Sequence, residues 1–196
     1  HETFAAVQTG GIPDSWRRHV QERDGQVFGV AEVCRHFVRT PTLHLCDQRS
    51  HVVVWSASDE ALPPGDEWAV QFDFRLTGGL CYKAADCGAI FGLKRGDPAS
   101  PDFLPLAQLD NDETAGAPVK LLGLGQVLAD DLATDRWHRL VIHREGADWH
   151  FYLDDELKGS VAGPDTDYRG FAFGSFQNWQ HVAEDVPYAN LDRKST

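Results

Sequence analysis

Alternation of apolar and polar residues between Trp68 and Leu76 is the feature that most constrains the fold of this chain. The segment reads WAVQFDFRL, so every second residue from Trp68 onward is apolar, whereas Gln71, Asp73 and Arg75 occupy the alternate positions. In an extended strand, successive side chains point to opposite faces, and an alternating segment buries one face while the other meets solvent. The segment therefore predicts a half-buried antiparallel strand.

The same alternation continues in a pair of hairpins further along the chain. Trp137–Arg144 and Trp149–Leu153 are strand-like and are separated by residues 145–148, which include a glycine. Asp154–Glu156 then forms a second turn before a return strand at Leu157–Val161. Short alternating segments joined by glycine and aspartate turns are typical of antiparallel hairpins.

Other segments extend the pattern, and about ten strands with frequent turn signals are expected in all. Only Val127–Ala133 suggests a helix. Gln8–Asp14 is expected to be a loop leading into Trp16, and Asp192–Thr196 a frayed tail. The pattern predicts an all-β protein, a two-sheet antiparallel β-sandwich in which residues 1–196 form a single domain. The remaining predicted strands are Val27–Val33, Thr42–Cys46, His51–Ser56, Ala89–Lys94, Phe103–Leu109, Val119–Leu124 and Tyr168–Phe176.

The net charge of the chain limits the classes of partner that we expect it to bind. It has 18 Lys and Arg against 30 Asp and Glu, a formal net charge of −12. Such a chain is repelled by nucleic-acid phosphates and by anionic lipid surfaces, so we expect neither as a partner. No apolar run approaches the roughly 20 residues that a membrane-spanning helix needs, and we expect a soluble protein.

Cysteine usage leaves two alternatives open. The four cysteines are Cys34, Cys46, Cys81 and Cys87. Local disulfides between Cys34 and Cys46 and between Cys81 and Cys87 are the simplest of the three possible connectivities. Four free thiols are the alternative. No pair has the CxxC spacing of a zinc or redox motif.

Three segments carry a resemblance to a known superfamily. They are Thr42–Leu45, which reads TLHL, Leu62–Leu76, which reads LPPGDEWAVQFDFRL, and Leu132–Val161, which contains WHRLVIHREGADWHFYLDD. In this order the segments resemble the concanavalin A-like lectin/glucanase superfamily, including laminin-G-like domains. The resemblance implies a jelly roll of two curved sheets, with any carbohydrate groove on the concave sheet.

A more distant resemblance is to alginate and glucuronan lyases, which carry a Q-I-H strand, a W-x-x-L strand and a Y-F-K-A-G-x-Y-N-Q segment. The matching positions are Gln108–Asp110, Trp137–Leu140 and Phe171–Asn178. The lyases use a His and a Tyr to move protons, but this chain has Asp110 and Phe176 there. A phenyl ring has no ionisable hydroxyl, so lyase chemistry would need other residues.

His150, Tyr152 and Arg75 are the candidate catalytic residues for such chemistry. The two neighbours on one strand face could transfer protons in β-elimination, while the guanidinium neutralises a uronate carboxylate. The alternative is that these side chains only line a solvent-facing sheet surface.

Carbohydrate contacts are expected from Trp179, Gln177, Asn178 and His143. A pyranose presents a flat C–H face that packs on an indole, while amides supply donors and acceptors to its hydroxyl groups. Trp16 and Trp55 also lie outside the clearest core pattern. The remaining tryptophans, Trp68, Trp137 and Trp149, are interpreted as packing residues.

No cofactor is required by these residues, although Asp110 and Asp112 could bind calcium in an acidic turn. No E-x-D-x-x-E arrangement of glucanase carboxylates occurs, so a lyase is favoured over a hydrolase if the protein is an enzyme.

The expected function is binding of a polysaccharide or oligosaccharide in a groove on the concave sheet, by a secreted protein that could be part of a larger multidomain chain. The alternatives are a polysaccharide lyase that cleaves uronic-acid-containing glycans by β-elimination and a laminin-G-like protein-interaction domain.

Overall fold

The structure of the protein is a computed structural model. It describes residues 7–8, 10–20, 22–23, 26–27, 29–34, 42–47, 52–58, 61–76, 89–94, 103–110, 117–165, 168–174 and 184–195. Within these ranges the strands are β1 Trp16–Val20, β2 Glu22–Arg23, β3 Gln26–Val27, β4 Gly29–Cys34, β5 Thr42–Asp47, β6 Val52–Ser56, β7 Glu67–Arg75, β8 Ala89–Lys94, β9 Phe103–Asp110, β10 Lys120–Gly123, β11 Gln126–Ala129, β12 Trp137–Glu145, β13 Asp148–Leu153, β14 Glu156–Ala162, β15 Gly170–Gly174 and β16 Glu184–Ser195.

The described strands form two large antiparallel sheets. Sheet I has the order β14-β13-β12-β7-β16-β5-β4, and sheet II has the order β1-β6-β15-β8-β9-β10-β11. β2 and β3 pair only with each other. The predicted all-β, two-sheet antiparallel sandwich is confirmed.

Aromatic side chains hold the two sheets together. Phe72 of sheet I has its ring centre 5.4 Å from that of Phe91 and 5.1 Å from that of Phe173, both of sheet II. On β7 the residues that alternate with polar ones, from Trp68 to Phe74, are fully buried. Each such side chain contributes roughly 1.5–3 kcal/mol through removal of apolar surface from water. The alternation therefore sets which face of sheet I packs on sheet II.

Tight turns with a left-handed backbone connect neighbouring strands, and glycine or aspartate occupies three of the four left-handed positions in the β10–β11 and β13–β14 turns. Asp154 and Asp155 join β13 to β14 with φ values of 52° and 69°. Leu124 and Gly125, with φ values of 47° and 83°, join β10 to β11. Two consecutive residues with positive φ are typical of the type I′ turn, whose twist matches that of a hairpin.

The helix expected at Val127–Ala133 is wrong. Gln126–Ala129 forms β11, in which Val127 pairs with Leu122 of β10. The segment is too short for a stable helix, and the preceding turn directs it back along the sheet. Among the described residues, no helix has the length and apolar character needed to cross a membrane.

β1 and β16 are among the strands that the sequence patterns missed. β1 follows the expected N-terminal loop and pairs with β6. The expected frayed tail at Asp192–Thr196 is also wrong, because β16 lies between β7 and β5 and extends to Ser195, which pairs with Trp68. The polar sequence of β16 lacks clear alternation, and the hydrogen-bonding edges of two neighbouring strands determine its conformation instead.

The disulfide expected between Cys34 and Cys46 does not fit the sheet register. Cys34 pairs with Thr42, whereas Cys46 pairs with Val30. Four residues of strand separate the two positions, roughly 13 Å at about 3.3 Å per residue. A disulfide requires Cα atoms within about 7 Å of each other, so this pairing is excluded. Cys81 and Cys87 lie outside the described residues.

Two leucines of sheet I provide a matched test of the packing. Leu140 is completely buried between the sheets, whereas Leu157 is 51% exposed on the edge strand β14. We expect Leu140→Ala to lower the free energy of unfolding by about 2–5 kcal/mol, because it removes buried surface and leaves a cavity. Leu157→Ala should change it by no more than about 0.5 kcal/mol. Urea unfolding monitored by tryptophan fluorescence measures both, and equal losses would contradict the sandwich core.

Candidate functional site

The outer face of sheet I carries a continuous strip of half-buried polar and aromatic side chains, which we call the polar face. It is formed by the residues of β7, β12 and β13 that alternate with the core residues. Alternation alone places these side chains outward, and antiparallel pairing brings them side by side. Its members are Gln71, Asp73, Arg75, Trp137, Arg139, Val141, His143, His150 and Tyr152.

Two histidines meet at one end of the polar face. His143 and His150 are directly opposite each other on β12 and β13, and their ring centres are 5.7 Å apart. Nδ1 of His150 is 2.7 Å from the hydroxyl oxygen of Ser160, and its Nε2 is 3.6 Å from a carboxylate oxygen of Glu145. Nε2 of His143 is shielded from solvent and has no hydrogen-bond partner among the described residues. This end therefore places two imidazoles, a hydroxyl and a carboxylate near one another, and one of the imidazole nitrogens is unsatisfied.

An ion pair occupies the middle of the polar face. Nε of Arg139 donates to Asp73 at 2.9 Å, and a second guanidinium nitrogen lies 3.4 Å from the other carboxylate oxygen. The hydrogen bond and the charge of Asp73 raise the pKa of the Arg139 guanidinium above its usual range. Tyr152 lies in the adjacent row, opposite Val141, which in turn is opposite Gln71. The guanidinium in the row next to the phenol is therefore already paired with a carboxylate.

Trp137 and Arg75 lie opposite each other at the other end of the polar face. A guanidinium nitrogen of Arg75 is 3.5 Å from Asp135, while its Nε is shielded from solvent and has no hydrogen-bond partner. The interpretation of Trp137 as a core packing residue is wrong, because its indole is half-buried on the outer face. The signal was present in the sequence, since Trp137 is in phase with Arg139 rather than with the core residues of β12.

The candidate catalytic residues do not all converge. His150 and Tyr152 are neighbours on β13, with His143 beside the first. Arg75, however, is four residues along β7 from Gln71, which lies in the row of Tyr152. At about 3.3 Å per residue this separates Arg75 from the phenol row by roughly 13 Å along the strands. The structure thus brings together two histidines and a tyrosine, but not the arginine expected to neutralise a uronate.

Several other predicted site residues lie elsewhere. Trp179, Gln177, Asn178 and Asp112 are outside the described residues, and so is Phe176. Asp110 is the last residue of β9, which belongs to sheet II and not to the sheet that carries the polar face. Within sheet II, β8 lies between β9 and β15. Among the described residues, no group of three His, Cys, Asp or Glu side chains is already arranged to hold a metal ion.

Trp16 and Trp55 are also not available as sugar platforms in this structure. Trp16 is 4% exposed and packs against Phe171 and Phe173 in the core. Trp55 is 6% exposed and lies against Phe103 in a separate apolar cluster of sheet II. Both indoles are used for packing, so neither offers a face to a ligand.

A buried histidine and an aspartate lock the end of the β12–β14 hairpins. Nδ1 of His138 is 2.9 Å from Asp154, and Nε2 is 2.8 Å from the backbone oxygen of Ala133. The Asp154 carboxylate also accepts from the backbone N–H of Arg139 at 2.9 Å and from the guanidinium of Arg136 at 2.6 Å. Both nitrogens of His138 are held and its side chain is 4% exposed, so this pair is structural rather than catalytic.

The environment of Asp154 favours its charged form. Desolvation by burial acts to raise the pKa of the Asp154 carboxyl, but the hydrogen bond from the Arg139 backbone, the hydrogen bond and charge of His138 and the charge of Arg136 outweigh it. The net result is a pKa below the ordinary value of 3.8. The carboxylate is therefore more stable in the folded chain than in the unfolded chain.

No protein-family model matches the chain, and no curated protein matches it by sequence. Solved structures are similar over nearly the whole chain. The cellulose-induced protein Cip1 has a TM-score of 0.63 at 12% identity, covering 100% of this chain and 96% of its own. The alginate lyase AlgAT5 of polysaccharide lyase family 7 has a TM-score of 0.57 at 10% identity, covering 93% and 94%. The carbohydrate-binding module CBM66 from Bacillus subtilis has a TM-score of 0.51 at 14% identity, covering 92% and 96%.

These similarities confirm the expected concanavalin A-like jelly-roll fold. At such low identity they establish the fold alone, because one fold of this kind carries many unrelated activities.

Asp154→Asn tests the structural role of the His138 pair. Asparagine keeps the left-handed backbone of the turn but removes the charge, so we expect a loss of about 1–2 kcal/mol of stability at pH 7. Because the folded-state pKa is lowered, the stability that the carboxylate contributes is present above pH 3.8 and is lost as pH falls through the folded-state pKa. The difference between wild type and variant should close in that acidic range. Urea unfolding at a series of pH values measures it.

Asp155→Asn is the matched control, since Asp155 is an exposed neighbour in the same turn with φ of 69°. A stability difference for Asp154→Asn that stays constant from pH 7 to pH 3 would contradict the assignment.

Proposed function

We propose that the polar face binds carbohydrate without cleaving it. The observation that carries this proposal is the pairing of Trp137 with Arg75, in which a half-buried indole lies beside a half-buried guanidinium that can donate hydrogen bonds. A sugar ring needs a flat aromatic surface for its C–H face and nearby donors or acceptors for its hydroxyl groups. Trp137 supplies the first of these and Arg75 the second.

A row further along the sheet, roughly 13 Å from Trp137 at about 3.3 Å per residue, extends the proposed contact. Tyr152 adds a half-buried phenol, and Gln71 adds an amide that can both donate and accept. Because these side chains stand on paired strands rather than on loops, their relative positions are fixed before a ligand arrives. Preorganisation of this kind lowers the entropic cost of binding.

Charge favours a neutral glycan over a uronate polymer. Arg139, in the row next to that of Tyr152, is paired with Asp73, and the chain as a whole carries a formal charge of −12. A polyanionic chain would be repelled at long range.

Lyase chemistry, the alternative, requires a base, an acid and a neutralising cation around one uronate. Arg75 lies roughly 13 Å along the strands from the row of Tyr152, at about 3.3 Å per residue. The separation of these groups supports binding over β-elimination. The shared fold with a carbohydrate-binding module and with proteins that act on polysaccharides is consistent with the proposal. Because the polysaccharides proposed as ligands are mainly extracellular, we also propose that the protein is secreted.

Trp137→Ala is the variant that tests the proposal. Affinity electrophoresis against cellulose derivatives, xylan, arabinan, levan and alginate would first identify a glycan that the wild type binds. We expect Trp137→Ala to weaken that binding by about tenfold or more, corresponding to the loss of about 1.4 kcal/mol or more of stacking. Tyr168→Ala is the matched control, since Tyr168 is an aromatic residue 38% exposed that precedes β15 of sheet II. It should leave the affinity unchanged.

The outcomes separate the alternatives. Binding that is insensitive to Trp137→Ala would reject the polar face as the binding site. An increase in absorbance near 235 nm on incubation with a uronate polymer would replace the proposal with the lyase alternative, since it reports the unsaturated product. Absence of binding to every glycan would favour the laminin-G-like protein-interaction alternative.

A further inference from the structure

The histidine end of the polar face has an unsatisfied nitrogen that carbohydrate binding does not explain. Nε2 of His143 is shielded from solvent and unpartnered, although buried polar atoms in folded proteins are nearly always satisfied. His150 faces it across the strand pair at 5.7 Å between ring centres. This end is six residues of β12 from Trp137, roughly 20 Å away at about 3.3 Å per residue. It is therefore separate from the proposed sugar platform.

The spacing of the two rings suits shared coordination. A zinc ion binds an imidazole nitrogen at about 2.0–2.1 Å, which places the centres of two rings on one ion about 5–6 Å apart. The observed separation of 5.7 Å falls in that range without movement of the backbone. Two ligands from directly opposed strand positions are held by the sheet itself.

A hydroxyl group supports the orientation of one ring. Nδ1 of His150 lies 2.7 Å from the Ser160 oxygen. When Nδ1 donates its proton there, Nε2 keeps its lone pair and faces Glu145, whose carboxylate oxygen is 3.6 Å away. Histidine ligands in metal sites characteristically donate the other ring N–H to such a partner, which fixes the tautomer and the ring orientation.

We propose that His143 and His150, with the Glu145 carboxylate, form a binding site for a divalent transition-metal ion of the zinc class. Two imidazoles favour such ions over calcium and magnesium, which prefer oxygen ligands. The third ligand is not preformed, but the side chain of Glu145 is 66% exposed and can rotate towards the ion. Water completes the coordination. Bound metal satisfies the orphan nitrogen of His143 and cross-links β12 to β13 on the outer surface.

Zinc titration of the full chain tests this inference without any glycan. Isothermal titration with ZnCl₂ should give one site that stabilises the protein, and its thermal midpoint should rise by several degrees as zinc exceeds the dissociation constant. CaCl₂ and MgCl₂ should have no effect at this site. His143→Gln and His150→Gln should each weaken zinc binding by a hundredfold or more. Ser160→Ala should weaken it by about 10–100-fold through loss of the orienting hydrogen bond.

Glu145→Gln and Glu156→Gln form a matched pair of carboxylate variants. Glu156 is exposed on β14, the strand next to β13, and its carboxylate contacts Lys158. Only the Glu145 variant should lower zinc affinity. Long-range ¹H–¹⁵N spectra of the wild-type protein give a readout that does not depend on variant folding, since zinc should shift the Nε2 signals of His143 and His150.

Zinc-dependent shifts confined to others of the nine histidines would overturn the proposal. So would retention of full affinity in both His→Gln variants. Neither result would affect the carbohydrate proposal, which depends on Trp137, and repeating its glycan-binding test with a chelator keeps the two proposals separate.

Discussion

The contact of Phe72 with Phe91 and Phe173 across the interface between the sheets is the interaction on which the architecture depends. It requires that β7 turn one side of its alternating sequence inward, where the apolar residues are removed from water. Once that side is fixed, the opposite side has to face outward. The same constraint acts on β12, which pairs with β7, and on β13, which pairs with β12. Burial on the inside thus creates the polar face on the outside.

Polar interactions have two distinct roles on this framework. Asp154 binds the backbone of Arg139 and the ring of His138, and so ties a hairpin turn to the strand beside it. These hydrogen bonds serve to stabilise the fold. At the other end of the hairpins, Nε2 of His143 is shielded from solvent and has no hydrogen-bond partner among the described residues. Polar clusters whose hydrogen-bonding groups are all satisfied stabilise a fold. A cluster with an unsatisfied group can gain free energy by binding a ligand.

The candidate site shows how register controls function on a common fold. Arg75 and Tyr152 belong to the same surface, yet β7 and β12 pair so that Arg75 faces Trp137 instead of the phenol. A shift of two residues in that register would leave the core pattern intact and give a different set of neighbours. Proteins of the same architecture can therefore bind, cleave or do neither, according to which outward residues the register brings together.

The sequence alone determined the strands at β7, β12 and β13 and, apart from Trp137, which of their residues are buried, because the period of two is a local property of each segment. Local patterns failed for β11 and β16, where a turn and two neighbouring strands decide the conformation. The same patterns could not place Trp137 beside Arg75, exclude a bond between Cys34 and Cys46, or join Arg139 to Asp73. Those relations link positions as many as 66 residues apart, and only tertiary structure decided them. The physical reason is that register arises from hydrogen bonds between strands, and no single strand encodes the alignment of its partner.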